Sequence, residues 1–376
     1  MGFHVTPEKA IRFTKYSVAL VFTWPPSLLA TKAQLAFFNI MWYVSFFSSL
    51  VLLLPLLGSI FEYGKEPIIL GKTVSLFSAV AQVVIKMAVC RVQQKRFQAL
   101  FFDLEDFCKR ATKEERIVLQ RYVDRYKCFH GVYIFWCFIT TAFVIAGPLY
   151  TPQTFPTHAK YPFPVERQPL KSIIFLHQSL VGFQASAGMA IDAQVALLLR
   201  YVSARYELLT ILLREVKSDG ELNDWIRKHV ELLRYTKEVY SSVRILVLAT
   251  VATTNVAVIF GSLNLVTSQP LPLKALYALV VFSASVELFM YAWPADNLIQ
   301  MSEKTAVAAY NTNWIEKDVR MQRKIVCIIL RSQRLQAIRI SGILPKLSLS
   351  YYTTYLYTSF SYFTAVRIMV GNTNVD

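Results

Sequence analysis

The sequence predicts an all-α membrane protein with seven transmembrane helices, the N-terminus cytoplasmic and the C-terminus extracellular. Three observations carry that reading. The chain is 55% hydrophobic and only 17% charged over 376 residues. Its apolar runs reach the roughly 20 residues a helix needs to cross a bilayer; seven can be drawn, at about 35–61, 70–90, 129–150, 172–199, 243–267, 273–299 and 347–370. The basic residues are also lopsided. Of 40 Lys and Arg, 32 lie before span one or between spans two and three, four and five, and six and seven, counting Arg244 at the edge of span five. The opposite loops hold two, three and one. Basic loops stay in the cytoplasm, so the N-terminus is placed there.

That orientation excludes seven-span receptors that act through G proteins, whose N-termini lie outside. A net charge of +16 raises nucleic acid as a partner, but its confinement to loops on one side argues for membrane lipid and no nucleic acid. Cys90, Cys108, Cys128 and Cys327 lie on or beside cytoplasmic loops and Cys137 lies within span three, so no disulfide is expected. The scattered His4, His130, His158, His177 and His229 show no metal spacing. No phosphate loop, zinc motif or nucleophile elbow is present. An enzyme, a metal and a cofactor are therefore not expected.

In chain order, residues 1–34 read as a mildly basic lead-in, with a bend at Trp24-Pro25-Pro26. Pro55 is placed to kink span one. Lys86, one turn from Arg91, reads as snorkelling to the interface. Residues 91–128 read as spans two and three continuing as helices into the cytoplasm. After span three come Pro148, Pro152, Pro156, Pro162, Pro164 and Pro169, which forbid regular structure; this external loop either lids a cavity or merely connects. Span four holds Gln178, Gln184, Ser186 and Asp192, with Asp192 read as paired near the inner boundary. Asp219-Gly220 reads as the turn of a second cytoplasmic helical region. Glu287 sits near the middle of span six and Asp296 at its inner end. A midspan carboxylate needs water, a partner or a proton, and the sequence leaves these alternatives open.

The last 76 residues carry most of the remaining signal. A basic amphipathic helix over 316–340 sets Arg320, Lys324, Cys327, Arg331 and Arg334 against Val319, Met321, Ile325, Val326, Ile328, Ile329 and Leu330, and Pro345 is expected to stop it. In the seventh span Ser350, Thr353, Thr354, Tyr357, Thr358, Ser361 and Thr364 share one arc. Such a stripe suits a helix contact or a water-filled path, or hydroxyls bonded back to their own helix. It ends on Ala365, Ile368 and Met369, an apolar ring of the type that gates by dewetting.

The run Tyr291-Ala-Trp-Pro-Ala-Asp-Asn-Leu298, followed by Ser302, Ala309, Tyr310 and Trp314, resembles the end of span six in insect odorant receptors. Leu330-Arg-Ser-Gln-Arg334, Gly342, Pro345-Lys-Leu-Ser-Leu349 and Ser359-Phe-Ser-Tyr-Phe-Thr364 resemble that family's last segment. Ala292, Ala295 and Leu335 depart from its usual Cys, Gly and Pro, and Arg367 is unusual near the outer end of the last span. The resemblance implies an odorant-tuned subunit of a ligand-gated, nonselective cation channel, assembled as a heterotetramer with a shared odorant co-receptor in the plasma membrane of an olfactory neuron dendrite. It implies three regions: a six-span bundle with an outer-half ligand pocket (1–300), a cytoplasmic anchor region (301–346), and a pore-lining span with a short tail (347–376). By depth in the membrane, the implied pocket for a small volatile holds Phe77, Ala81, Tyr133, Trp136, Thr140, Phe143, Gln178, Gly182, Tyr277 and Val281. Ser361, Ala365, Ile368 and Met369 are the implied pore and gate, and Trp314, Ile325 and Ile329 the implied subunit anchor. The rival readings are a gustatory receptor channel of the same architecture and a secondary transporter built on Asp192 and Glu287.

Overall fold

The computed structural model describes residues 5–64, 67–149, 153–165, 167–266, 271–334, 337–340, 342 and 344–372; the side chains of 67–68, 263–264, 266, 272–273, 276 and 366–372 lie outside the description. The described residues form eleven α-helices: α1 (Pro7–Ser17), α2 (Lys32–Glu62), α3 (Pro67–Val92), α4 (Gln94–Arg110), α5 (Lys113–Ile145), α6 (Leu170–Met189), α7 (Ile191–Glu215), α8 (Asp219–Val266), α9 (Leu271–Tyr310), α10 (Val319–Ser332) and α11 (Leu349–Asn372).

Local chemistry sets the boundaries. Thr31 and Gln34 form a capping box at the start of α2, and Thr112 and Glu115 form another at the start of α5, satisfying amides that a helix start leaves unpaired. Asp318 caps α10 by accepting from the Arg320 N–H at 3.2 Å. Beyond α10, Ile340 and Leu344 exchange backbone hydrogen bonds of 2.9 and 2.8 Å. The turn between them passes through Gly342 at φ 79°, where a side chain would be strained.

Five described helices are long and apolar enough to cross a membrane: α2, Ile69–Val92 of α3, α5, Asp219–Ser262 of α8 and Tyr277–Tyr310 of α9. α6 and α11 cover the fourth and seventh predicted spans. α7 forms the centre of the bundle. From Ile191 to Leu213 it is buried on nearly every face, whereas α2 leaves Phe37, Ile40, Leu54 and Phe61 exposed.

Several expectations need correction. Span four is not one helix to residue 199, because the chain breaks at Ala190 between α6 and α7. The lead-in, read only as mildly basic with a bend, holds a helix of its own: α1 packs on α5, α4 and α7, and Trp24 stacks on Phe101 at 4.1 Å. α3 does not run on into the next loop, since it ends at Val92 and α4 starts afresh, while α5 does extend back to Lys113. The turn expected at Asp219-Gly220 falls just earlier, with Asp219 opening α8. The amphipathic helix ends at Ser332, well before Pro345.

At Gly188, α6 passes so close to α3 that a Cβ would lie 2.4 Å from a methyl of Val83. Gly188→Ala is therefore expected to lower the thermal stability of the purified protein by about 1–3 kcal/mol, the usual effect of overpacking. A Val83→Ala second change should restore most of it, read by melting on size-exclusion chromatography.

Candidate ligand cavity and the buried ion cluster beside it

α2, α3, α5, α6, α8 and α9 line a cavity of about 300 Å³, covered at one end by the proline-rich loop through Gln153, Pro156, Thr157 and His158. Six prolines keep this loop irregular, and specific bonds hold it in place. Gln178 Oε1 accepts from both the backbone N–H and the hydroxyl of Thr157 at 3.0 Å, while Gln178 Nε2 donates to Tyr161 at 3.2 Å. Lys160 donates its N–H to the Pro55 carbonyl at 3.0 Å and pairs with Glu62 at 2.7 Å. Burial and the nearby Lys72 ammonium lower the His158 pKa, so this histidine is neutral at pH 7.

The cavity wall carries many hydroxyls, yet they are already occupied. Ser75 bonds the Gly71 carbonyl, Thr140 the Trp136 carbonyl, Thr253 the Ala249 carbonyl and Ser283 the Leu279 carbonyl, all at 2.8–2.9 Å. A hydroxyl turned back on its own helix leaves mainly carbon facing the cavity. With Leu52, Leu56, Leu76, Val80, Val144 and Ala257, the site suits a small, mostly apolar molecule.

One wall ends in a buried ion cluster to which Gln82 and Glu287 also belong. Lys86 Nζ donates to Asp192 Oδ1 at 2.5 Å and to Glu287 Oε1 at 3.0 Å. Tyr133 donates to Asp192 Oδ2 at 3.0 Å, and Tyr291 to Asp192 Oδ1. Gln82 donates to Glu287 and, at 3.3 Å, to Thr250. One ammonium and two carboxylates leave a formal excess of one negative charge, spread over donors from α3, α5 and α9. Lys86 therefore does not snorkel. Its side chain is wholly buried, because two carboxylates replace the water it would otherwise seek. Asp192 is paired as expected, but deep within the bundle, and Glu287 holds a buried contact. The sequence contained the signal: three lone charges in spans two, four and six, which intramembrane chemistry obliges to find partners.

Of the residues placed in the pocket by depth, Thr140, Phe143, Gln178, Gly182 and Tyr277 line the cavity. Tyr133 belongs to the ion cluster. Trp136 instead donates its indole N–H to Ser283 at 2.9 Å, and Phe77 and Val281 pack against neighbouring core residues. Depth alone does not set the rotation of each helix, and these four, with Ala81, do not line this cavity. Ser75 and Ala79 on α3 and Thr253, Thr254 and Ala257 on α8 also line it and were missed; depth alone did not place the first two, and span five offered no polar singularity to mark the others.

On α11 the hydroxyls of Thr353, Thr354, Thr358 and Ser361 bond carbonyls one turn back at 2.7–3.1 Å, and all four residues are exposed, as is Ala365. The side chains of Ile368, Met369 and Arg367 lie outside the described residues. In the anchor region Ile325 is buried in this chain's own core, with Ile329 and Trp314 half-buried against it. The apolar residues α10 exposes are Val319, Val326 and Leu330.

A profile of the 7tm Odorant receptor family matches residues 66–360, well over half the chain. The chain belongs to this family. It is 25% identical over 208 residues to Odorant receptor 67a of Drosophila melanogaster, covering 52% of this chain and 51% of that one. It is 33% identical over 90 residues to Odorant receptor 10 of Aedes albopictus, covering 24% of each. The chain thus spans about half or less of the length of the curated relatives it matches. The fold is that of the insect olfactory receptor OR5 from Machilis hrabei, with a TM-score of 0.81 over 96% of this chain and 98% of that one at 13% identity. The structure of that receptor in complex with eugenol superposes with the same TM-score.

Family and fold make the chain a multi-pass membrane receptor rather than an enzyme. The exposed apolar side chains of α2 then face lipid, where they need no further partner. The cluster yields a direct expectation. Lys86→Met strands two buried carboxylates and should destabilise the receptor by about 3–5 kcal/mol, seen as loss of monodisperse protein. Adding Asp192→Asn and Glu287→Gln should recover part of that loss, because neutral amides no longer require the ammonium.

Proposed function

We propose that the receptor binds a small volatile organic molecule in the 300 Å³ cavity and that binding opens a nonselective cation pore. The observation that carries this reading is the cavity itself: lined largely by carbon and covered at one end by a loop that Gln178 ties down. The eugenol complex of a receptor with the same fold supports the same class of ligand. In this reading the N-terminus is cytoplasmic, following the lopsided Lys and Arg distribution.

The chain works as the odorant-tuned subunit of a heterotetramer with co-receptor subunits. α11 supplies the pore wall through the arc containing Thr354, Thr358 and Ser361, with Ala365, Ile368 and Met369 closing it when dry. The exposure of that arc on the single chain supports the assignment, since it leaves the face open to a neighbouring subunit or a water path. α10 contributes Val319, Val326 and Leu330 to the neighbouring subunit, while Ile325, Ile329 and Trp314 hold α10 on its own bundle. The volatile shifts the pore only by as much as it prefers the open arrangement over the closed one.

Whole-cell recording on cells expressing the chain with and without an insect odorant co-receptor, under a panel of volatiles, tests the proposal. Evoked cation current only when both are present is the expected result. Coupled uptake without channel current would overturn it in favour of a transporter. Ala257→Leu, which adds bulk inside the cavity, should raise the half-maximal odorant concentration at least about tenfold at unchanged surface level, equivalent to about 1.4 kcal/mol of lost binding.

A further inference from the structure

The wall of the odorant cavity is mostly carbon and satisfied hydroxyls, with an exception at the end covered by the proline-rich loop. Among the described lining residues two carry a charge at pH 7, Lys72 and Glu287. They belong to opposite ends. Glu287 accepts from Gln82, and Lys72 precedes Gln82 on α3 by ten residues, about 15 Å at 1.5 Å per residue. Glu287 is committed to the ion cluster, bound to Lys86 at 3.0 Å. Lys72 is not committed. It makes no hydrogen bond or ion pair among the described residues, and its Nζ is not sealed in protein, since the side chain is only half-buried.

His158 lines the same end of the cavity. Burial and the Lys72 ammonium lower its pKa, so its imidazole is neutral at pH 7 and keeps one N–H to donate. The loop end therefore offers a full positive charge and a neutral donor. The other end carries the excess negative charge of the ion cluster. A charge of each sign at the two ends orients a guest, with an anionic head drawn to Lys72 and held away from Glu287. Beyond Lys72, α3 presents Leu76, Ala79 and Val80 to the same space. An open cation next to an apolar wall suits a guest that brings an anion and hydrocarbon together.

We propose that the odorant cavity takes a volatile carboxylic acid, bound as its carboxylate with the head on Lys72 and the tail along Leu76, Ala79 and Val80. This rests on the reading that the volatile binds in this cavity. A single uncommitted cation matches a monoanion. Lys72 sets the class of head group through charge-assisted hydrogen bonds, and the contour of the walls selects among tails. An ester of the same length fills the same walls without the charge.

Equilibrium binding of radiolabelled hexanoate at pH 7 to the purified full-length receptor tests this. Saturable binding is expected, with methyl hexanoate competing at least roughly tenfold more weakly, since it lacks the charge that strengthens the hydrogen bonds. Lys72→Met keeps an apolar stem of similar length and should weaken hexanoate at least about tenfold with unchanged melting, whereas Lys72→Arg should stay within about threefold. Ala257→Leu, which fills the cavity without touching the charge, should weaken hexanoate as well. Equal competition by methyl hexanoate, binding indifferent to Lys72→Met, or uptake that never saturates would each overturn the proposal. Binding lost in Lys72→Met but unchanged in Ala257→Leu would place hexanoate outside the cavity and overturn it too. Any of these leaves the cavity reading standing if neutral volatiles still evoke currents that Ala257→Leu weakens. Evoked current indifferent to Ala257→Leu for every volatile would overturn the cavity reading, and this proposal with it.

Discussion

The buried contact of Lys86 with Asp192 and Glu287 is the constraint on which the rest of the bundle depends. Each of the three charges sits on a different helix, and Tyr133 and Gln82 add donors from α5 and α3. Ionised groups removed from water tolerate few relative positions, so the cluster fixes the rotation and depth of α3, α5, α7 and α9 against one another. Such a cluster adds little net stability over a hydrocarbon core, because desolvation offsets most of the attraction. Its value here is register. Asp192 stands in the first turn of α7, just past the break at Ala190, where the helix dipole also favours a negative charge.

The cluster shapes the cavity as well. Gln82 and Glu287 belong to both, so the polar end of the cavity is tied up in bonds to the protein. Ser75, Thr140, Thr253 and Ser283 along the remaining wall are likewise satisfied by their own helices. A guest therefore meets shape and carbon far more than open hydrogen-bonding groups. Selectivity in such a site comes from volume and contour, which single methyl groups on Ala79, Ala257 or Val80 are enough to alter. The proline-rich loop covers one end, and the amide of Gln178 serves to hold that loop.

The all-helical, membrane-spanning character of the chain was legible in the sequence, because charge exclusion and helical periodicity act over many residues at once. The motifs from Tyr291 to Trp314 and from Leu330 to Thr364 carried the family. The lining of the cavity was legible only in part. Thr140, Phe143, Gln178, Gly182 and Tyr277 line it, while Tyr133, Trp136, Phe77, Ala81 and Val281 do not, a difference of helix rotation that depth along a span does not encode. Lys86 was misread because snorkelling suits a lysine near a span end. What decided its position was two carboxylates more than 100 residues away in sequence. The packing of α1 on α4, α5 and α7 was invisible because a short polar helix near a terminus looks the same whether it docks or not.

The central claim is that this cavity is where the volatile acts. Protection of an introduced cysteine tests it most directly: Ala79→Cys in a receptor whose exposed Cys128 and Cys327 are replaced by serine, with the rate of modification by a small thiol reagent followed as loss of odorant-evoked current. An effective odorant should slow modification at position 79 severalfold while leaving a control cysteine at the exposed Ile315 untouched. An unchanged rate at position 79 under a saturating odorant would contradict the account and move the binding site elsewhere in the receptor.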